Sequence, residues 1–149
     1  MKISTRVRYA ARIMLDLALA KTSGPVLGKD IAKRQGTSQS YLDNIMGPLR
    51  VAGLVRTARG VGGGFTLAKP PAQITVSDIW KAMEGPLCLI DCIDQPDSYH
   101  RFEQCITRHV WQEANEALTA VFESCSLEDI VKKSQLECQD LNDKEAHIG

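Results

Sequence analysis

The sequence predicts a mainly α-helical chain with one small β-hairpin, arranged as a winged helix-turn-helix plus a long dimerisation helix. Three observations predict it. Two amphipathic helical patterns are separated by a tight turn at Gly36-Thr37-Ser38. Two short β-type runs follow at once, joined by the basic, glycine-rich tip Arg59-Gly60-Val61-Gly62-Gly63-Gly64. Further on, a broad apolar stripe recurs at helical spacing from Ile106 to Phe122.

The elements follow in order. Residues 4–20 carry Val7, Ala10, Ala11, Met14, Leu15, Leu17 and Ala18 on one helical face, with Ser4 or Thr5 as cap and Ser23-Gly24-Pro25 as stop. A short helix at about 28–35 turns Ile31 and Ala32 inward and ends at Gly36. Thr37-Ser38 offers an N-cap for a third helix through Ala52. Within it, Pro48 lacks a backbone donor and its ring crowds the carbonyl of Asn44. A kink or break is therefore expected near Ile45–Gly47. Leu54–Ala58 and Phe65–Ala68 read as strands. Their connecting loop does not read as a nucleotide cradle, because a strand rather than a helix follows it and no Gly-Lys-Ser or Gly-Lys-Thr is present. A wing along a DNA backbone suits the loop better: glycines allow close approach, and Arg59 can meet phosphate or enter a minor groove.

After Pro70-Pro71, Thr75-Val76-Ser77-Asp78 opens a short helix through about Glu84, with Ile79, Trp80 and Met83 apolar and Gly85-Pro86 as its end. Residues 86–104 read as irregular. The long helix, about 105–124, has the apolar set Ile106, Val110, Trp111, Ala114, Ala117, Leu118, Val121 and Phe122. Burial against the same helix of a second chain, packing on its own first helix, or both would cover this stripe. Ser126 caps a last helix expected from Leu127 to about Lys133, with a frayed polar tail from Ser134. The expected division is 1–84 DNA-binding, 85–104 cysteine-bearing sensor loop, 105–133 dimerisation and last helix, and 134–149 tail.

Formal charge sums to zero over 149 residues but is segregated. Residues 1–70 hold twelve Lys and Arg against three Asp, a net +9; the rest holds six against fifteen acidic residues, a net −9. A polyanion would be drawn to the first part and repelled by the second. No apolar run approaches the roughly 20 residues of a membrane span. The stretch after Met1 carries Arg6, Arg8 and Arg12 with no apolar block or small-residue cleavage site. A cytoplasmic location is expected, and the five cysteines then read as thiols or metal ligands rather than disulfides. Paired carboxylates in a pocket context, a serine–histidine motif and a nucleotide loop are all missing, which argues against an enzyme.

Arg8-Tyr9-Ala10, Ser38-Gln39-Ser40-Tyr41-Leu42, Ala52-Gly53-Leu54-Val55 and Arg59-Gly60-Val61-Gly62-Gly63-Gly64-Phe65 together resemble the Rrf-two family of winged-helix regulators. The likeness runs from about residue 1 to 133 and includes Trp111 and Leu127-Glu128-Asp129-Ile130-Val131. It implies a homodimer crossed through the long helix and bound to double-stranded DNA at a near-palindromic operator. It also implies sensing of an iron–sulfur cluster, nitric oxide, redox state or cysteine supply. The implied DNA-contacting positions are Ser38, Gln39, Ser40, Tyr41 and Asp43 on the third helix, and Arg59, Gly60, Gly62 and Gly63 in the wing. A helix N-terminus with small hydroxyls suits phosphate or base-edge contact. Ser38 can equally be a plain N-cap, and Tyr41 can pack under the wing. Asp43, which phosphate repels, would tune base choice.

Cys88, Cys92 and Cys105 are the candidate metal ligands. Thiolates on a loop near a helix N-terminus suit iron–sulfur ligation, although Cys-x3-Cys-x12-Cys matches neither a zinc ribbon nor a ferredoxin run. The resemblance puts three cluster-binding cysteines in this region, with a shorter middle gap. It also implies a fourth ligand three residues after the last cysteine, where Arg108 stands, or a carboxylate from the partner's first helix, where Arg8 stands. His109, His100, Asp91, Asp94, Glu103 or a small exogenous ligand are the alternatives. Either a 2Fe-2S or a 4Fe-4S cluster is compatible, as are a thiol or zinc sensor and three incidental thiols. The alternative function is a metal-free regulator of cysteine or sulfur metabolism, controlled by thiols or by a protein partner. Cys125 reads as packing, and Cys138 and His147 as tail residues.

Overall fold

Ser4 opens helix α1 (Thr5–Leu19) by accepting the Val7 amide on its hydroxyl at 3.2 Å. This pairs one of the amides that every helix start leaves without a partner. The computed structural model describes residues 2–20, 24–89 and 106–146, with side chains through Glu137. Val7, Ala10, Ile13, Met14 and Leu17 of α1 form the centre of the core. Helix α2 (Gly28–Gln35) adds Ile31 and Ala32. It ends at Gly36, whose left-handed backbone (φ 63°, ψ 39°) turns the chain while Thr37 donates back to the Ala32 carbonyl at 3.0 Å. Two residues later Ser38 caps α3 (Gln39–Val51), accepting the Tyr41 amide at 3.1 Å. The helix-turn-helix is therefore set by one glycine and one serine.

The break expected near Ile45–Gly47 is absent: α3 runs unbroken from Gln39 to Val51 with Pro48 inside it. Packing overrides the local preference. Leu42, Ile45, Met46 and Leu49 are all buried and span both sides of the proline. Burial of each contributes about 1.5–3 kcal/mol, against about 3 kcal/mol for an interior proline. Gly47 also presents no Cβ to the proline ring.

Strands β1 (Val55–Ala58) and β2 (Gly64–Leu67) pair antiparallel, with Arg56 opposite Thr66 and Thr57 opposite Phe65. On the far side of β2, Phe65 exchanges two backbone bonds with Val26, at 2.8 and 2.9 Å. The wing is thereby fastened to the segment that leads into α2. A single 3-10 turn, Pro71–Gln73, then leads to α4 (Val76–Glu84). This helix starts with a complete capping box: Thr75 accepts the Asp78 amide, and Asp78 accepts the Thr75 amide.

Helix α5 (Arg108–Ser124) leans on α4 through Trp80 and Phe122, whose ring centroids are 5.7 Å apart. None of its own residues is buried. Helix α6 (Leu127–Ala146) is pinned at its start, where Leu127 donates to Ile74 at 2.8 Å and Val76 donates to Cys125 at 2.9 Å. The expected stop near Lys133 is corrected, because the helix continues to Ala146. The sequence after Lys133 contains no glycine or proline before Gly149, so nothing ends the helix, and polarity alone does not. No helix among the described residues is long and apolar enough to cross a membrane.

Candidate nucleic-acid interface

The outer face of α3 is polar by elimination. Leu42, Ile45, Met46 and Leu49 turn inward, leaving Ser38, Gln39, Ser40, Asp43, Asn44 and Arg50 exposed, with Val51 the exposed apolar residue at its end. Gln39 Nε2 donates to Asp43 Oδ1 at 3.0 Å, one helical turn away. This holds both side chains on one surface and occupies one acceptor position of the carboxylate. The Ser38 hydroxyl is engaged as the cap, so the plain capping role is present. Tyr41 is half-buried, and its ring meets Tyr9 of α1 edge-on at 5.3 Å.

The wing stands beside this face. A groove of about 190 Å³ is lined by Asp43, Met46, Gly47 and Arg50 of α3 and by Phe65 of β2. The tip turns between Gly60 and Gly63, with the Gly63 amide donating to the Gly60 carbonyl at 3.0 Å. Gly60 and Gly62 have positive φ, 93° and 76°. Arg59 is exposed, and Val61 at the apex is fully so. All eleven Lys and Arg described between residues 2 and 69 are solvent-exposed. The first-half positive charge is therefore available to a polyanion instead of being used in the core.

Of the residues expected to meet DNA, Asp43 alone is among those lining this groove, beside Arg50 of α3 and Phe65 of β2. Sequence reasoning missed Arg50 and Asn44, which a count of helix positions from Ser38 outward would have found. It also missed Val26, since a lone bridging residue has no pattern. A polar chain joining α1 and α2 was equally unread. Arg34 donates to both oxygens of Asp16 at 2.9 and 3.1 Å, Gln35 donates to Asp16 at 3.2 Å, and Arg12 donates to Gln35 at 3.0 Å.

Of the candidate metal ligands, Cys88 is half-buried in the segment after α4. The next residue, Leu89, donates its amide to Asn115 Oδ1 on α5 at 3.0 Å. Cys92, Cys105, Asp91, Asp94, His100 and Glu103 lie outside the described residues, as does His147. Among the described residues no three His, Cys, Asp or Glu side chains converge as a metal site. His109 and Arg108 fall in the first turn of α5, and Arg8 is exposed on α1.

A helix-turn-helix with a flanking wing, an exposed polar reading face and a basic surface defines a winged-helix transcription regulator, not an enzyme. The chain belongs to the Rrf2 family: residues 3–133 match the family described as iron-dependent transcriptional regulators. It is 37% identical to the regulator CymR of Bacillus subtilis over 130 residues, 87% of this chain and 89% of that one. It is 35% identical to the regulator IscR of Xenorhabdus nematophila over 136 residues, 91% of this chain and 82% of that one. Among solved structures, CymR, described as the global cysteine regulator of B. subtilis, superposes with a TM-score of 0.75 at 34% identity, covering 89% of this chain and 98% of that one. IscR of T. potens superposes with a TM-score of 0.73 at 36% identity, covering 90% and 88%.

Proposed function

We propose that this regulator acts in the cytoplasm as a homodimer on a near-palindromic operator, under the control of an iron–sulfur cluster held by Cys88, Cys92 and Cys105. The observation that carries the DNA reading is the groove between Arg50 and Asp43 of α3 and Phe65 of the wing. It lets helix and wing address one duplex, α3 in the major groove and Arg59 in the adjacent minor groove. Ser38, Gln39, Ser40, Tyr41 and Asp43 would meet bases and phosphates there, and Gly60, Gly62 and Gly63 let the wing backbone come close. Residues 1–84 form the reading unit, 85–104 the sensor, 105–133 the dimer contact, and the helical extension beyond 133 a separate tail.

The iron reading is supported by the description of the family as iron-dependent and by a donor set of three soft thiolates. When bound, such a cluster supplies a redox- and ligand-sensitive centre. The chain's own contribution is mechanical: Asn115 ties Leu89, the neighbour of Cys88, to α5, so a displacement at Cys88 acts on the dimer helix. The dimer is supported by Val110, Trp111 and Val121, which are 59, 43 and 60% exposed along one helix of the single chain. The second reading, a metal-free regulator of cysteine metabolism working through thiols or a protein partner, is favoured by the similarity to the B. subtilis cysteine regulator.

Iron and sulfide content after anaerobic purification separates the two. Iron that is retained by the native chain and by Cys138→Ala, but lost from Cys105→Ala, supports the cluster. Equal iron in all three would overturn ligation by Cys105, and none in the native chain after reconstitution would leave the metal-free reading.

A further inference from the structure

Tyr9 lies in α1, outside the reading helix, yet its ring is the edge-on partner of Tyr41, 5.3 Å between centroids and 81° between planes. The guanidinium of Arg12 sits 5.2 Å from the centre of the Tyr9 ring. Arg12 is itself fixed by Gln35, and Gln35 by Asp16, which also holds Arg34. Both Gln35 and Arg34 belong to the last turn of α2, immediately before the Gly36 turn. One continuous set of contacts therefore runs from the end of α2, across α1, to the third residue of α3. The Tyr41 amide is already committed to Ser38, so its backbone is fixed by the cap and its ring by Tyr9.

We propose that Tyr9 is a positioning residue for DNA recognition, aiming the Tyr41 side chain at the duplex. This rests on the DNA reading above. The physical argument is one of orientation. A half-buried tyrosine on an exposed helix face has several staggered rotamers. An edge-to-face partner held from behind by a cation selects one of them before DNA arrives, which removes an ordering cost from binding. Tyr9 need not touch DNA for this. The contact requires its ring and not its hydroxyl, so phenylalanine suffices at position 9, whereas at position 41 the hydroxyl itself is the expected contact group.

The test is a double-mutant cycle on duplexes enriched from a random-sequence pool by the native protein, with a scrambled duplex as control. Tyr9→Ala is expected to weaken binding to the enriched duplex about 2- to 10-fold, with a smaller effect on the scrambled one. Tyr9→Phe is expected to bind as the native chain does. In a Tyr41→Ala background, Tyr9→Ala is expected to change nothing further, because the group it positions is gone. Equal losses from Tyr9→Ala in the native and Tyr41→Ala backgrounds would overturn the proposal, as would full binding by Tyr41→Ala. If Tyr9→Ala does not fold, as shown by far-UV circular dichroism, Tyr9→Leu is substituted in the same cycle and read the same way. If the native protein enriches no duplex, the DNA reading itself fails and takes this proposal with it. Enrichment without coupling defeats the proposal alone.

Discussion

Gly64 lies so close to the carbonyl of Val26 that a Cβ at position 64 would overlap it. This approach permits the Phe65–Val26 bonds that fasten the wing. Gly64 also has φ 153°, a conformation that L side chains rarely adopt. Gly64→Ala is therefore expected to destabilise the fold by about 1–3 kcal/mol and to displace the wing. Thermal unfolding combined with DNA titration checks it. Native-like binding with native-like melting would mean that the wing is not held by this contact.

Arg59 is exposed at the wing tip and forms no core contact. Arg59→Ala is expected to leave stability unchanged and to lower affinity for the enriched duplex by about 1–3 kcal/mol if it reads a base edge. Native and variant affinity should both fall steeply with salt, because the exposed cations release counterions on binding. A salt titration by fluorescence anisotropy measures both effects. Unchanged affinity at moderate salt would remove Arg59 from the interface.

Trp111 faces away from its own chain's core, so Trp111→Glu is expected to disrupt association rather than folding. A stable dimer needs an interface above about 1,000 Å², and the exposed Val110, Trp111 and Val121 of α5, with Ile106 just before it, are the apolar surface that can supply it. Sedimentation should show the native chain as a dimer at micromolar concentration and the variant as a folded monomer. A native monomer would contradict the assignment.

At the start of α6, Asp129 accepts from the Ser126 hydroxyl at 2.6 Å and from the Ser126 amide at 2.9 Å. These bonds hold its carboxyl below the ordinary value, with Lys132 and Lys133 acting in the same direction. A lowered native value means that the unfolded chain takes up the proton first. The stabilisation is therefore complete above the ordinary carboxylate value and is lost as pH falls through the lowered one. Asp129→Asn should be less stable near neutrality and should show a shallower loss of stability in acid. Parallel acid-unfolding curves for the two proteins would disprove the role.

The helix-turn-helix and wing were legible in the sequence because short-range rules decide them: Ser4, Ser38 and Thr75 cap the helices, and Gly36 turns the chain. The break at Pro48 failed because Leu42, Ile45 and Leu49 bury on both sides of it, a tertiary effect that no local pattern reports. The end of α6 was not legible because a polar run does not by itself end a helix and no glycine or proline stands between Lys133 and Gly149. In the site, the exposed residues of α3 and the tip could be read one by one. The Tyr9–Tyr41 contact, the Gln39–Asp43 pair and the bridge at Val26 join residues whose relation exists only once the chain has folded. Cys88 lies in the segment after α4, while Cys92 and Cys105 lie outside the described residues.

The central claim is that α3 and the wing read one duplex in a sequence-specific way. The most direct measurement is enrichment of duplexes from a random-sequence pool by the purified protein, followed by titration of the enriched sequence at fixed salt. The account predicts a near-palindromic consensus, bound at least about 1,000-fold more tightly than scrambled DNA. Enrichment of no consensus, or equal affinity for enriched and scrambled duplexes, would contradict it.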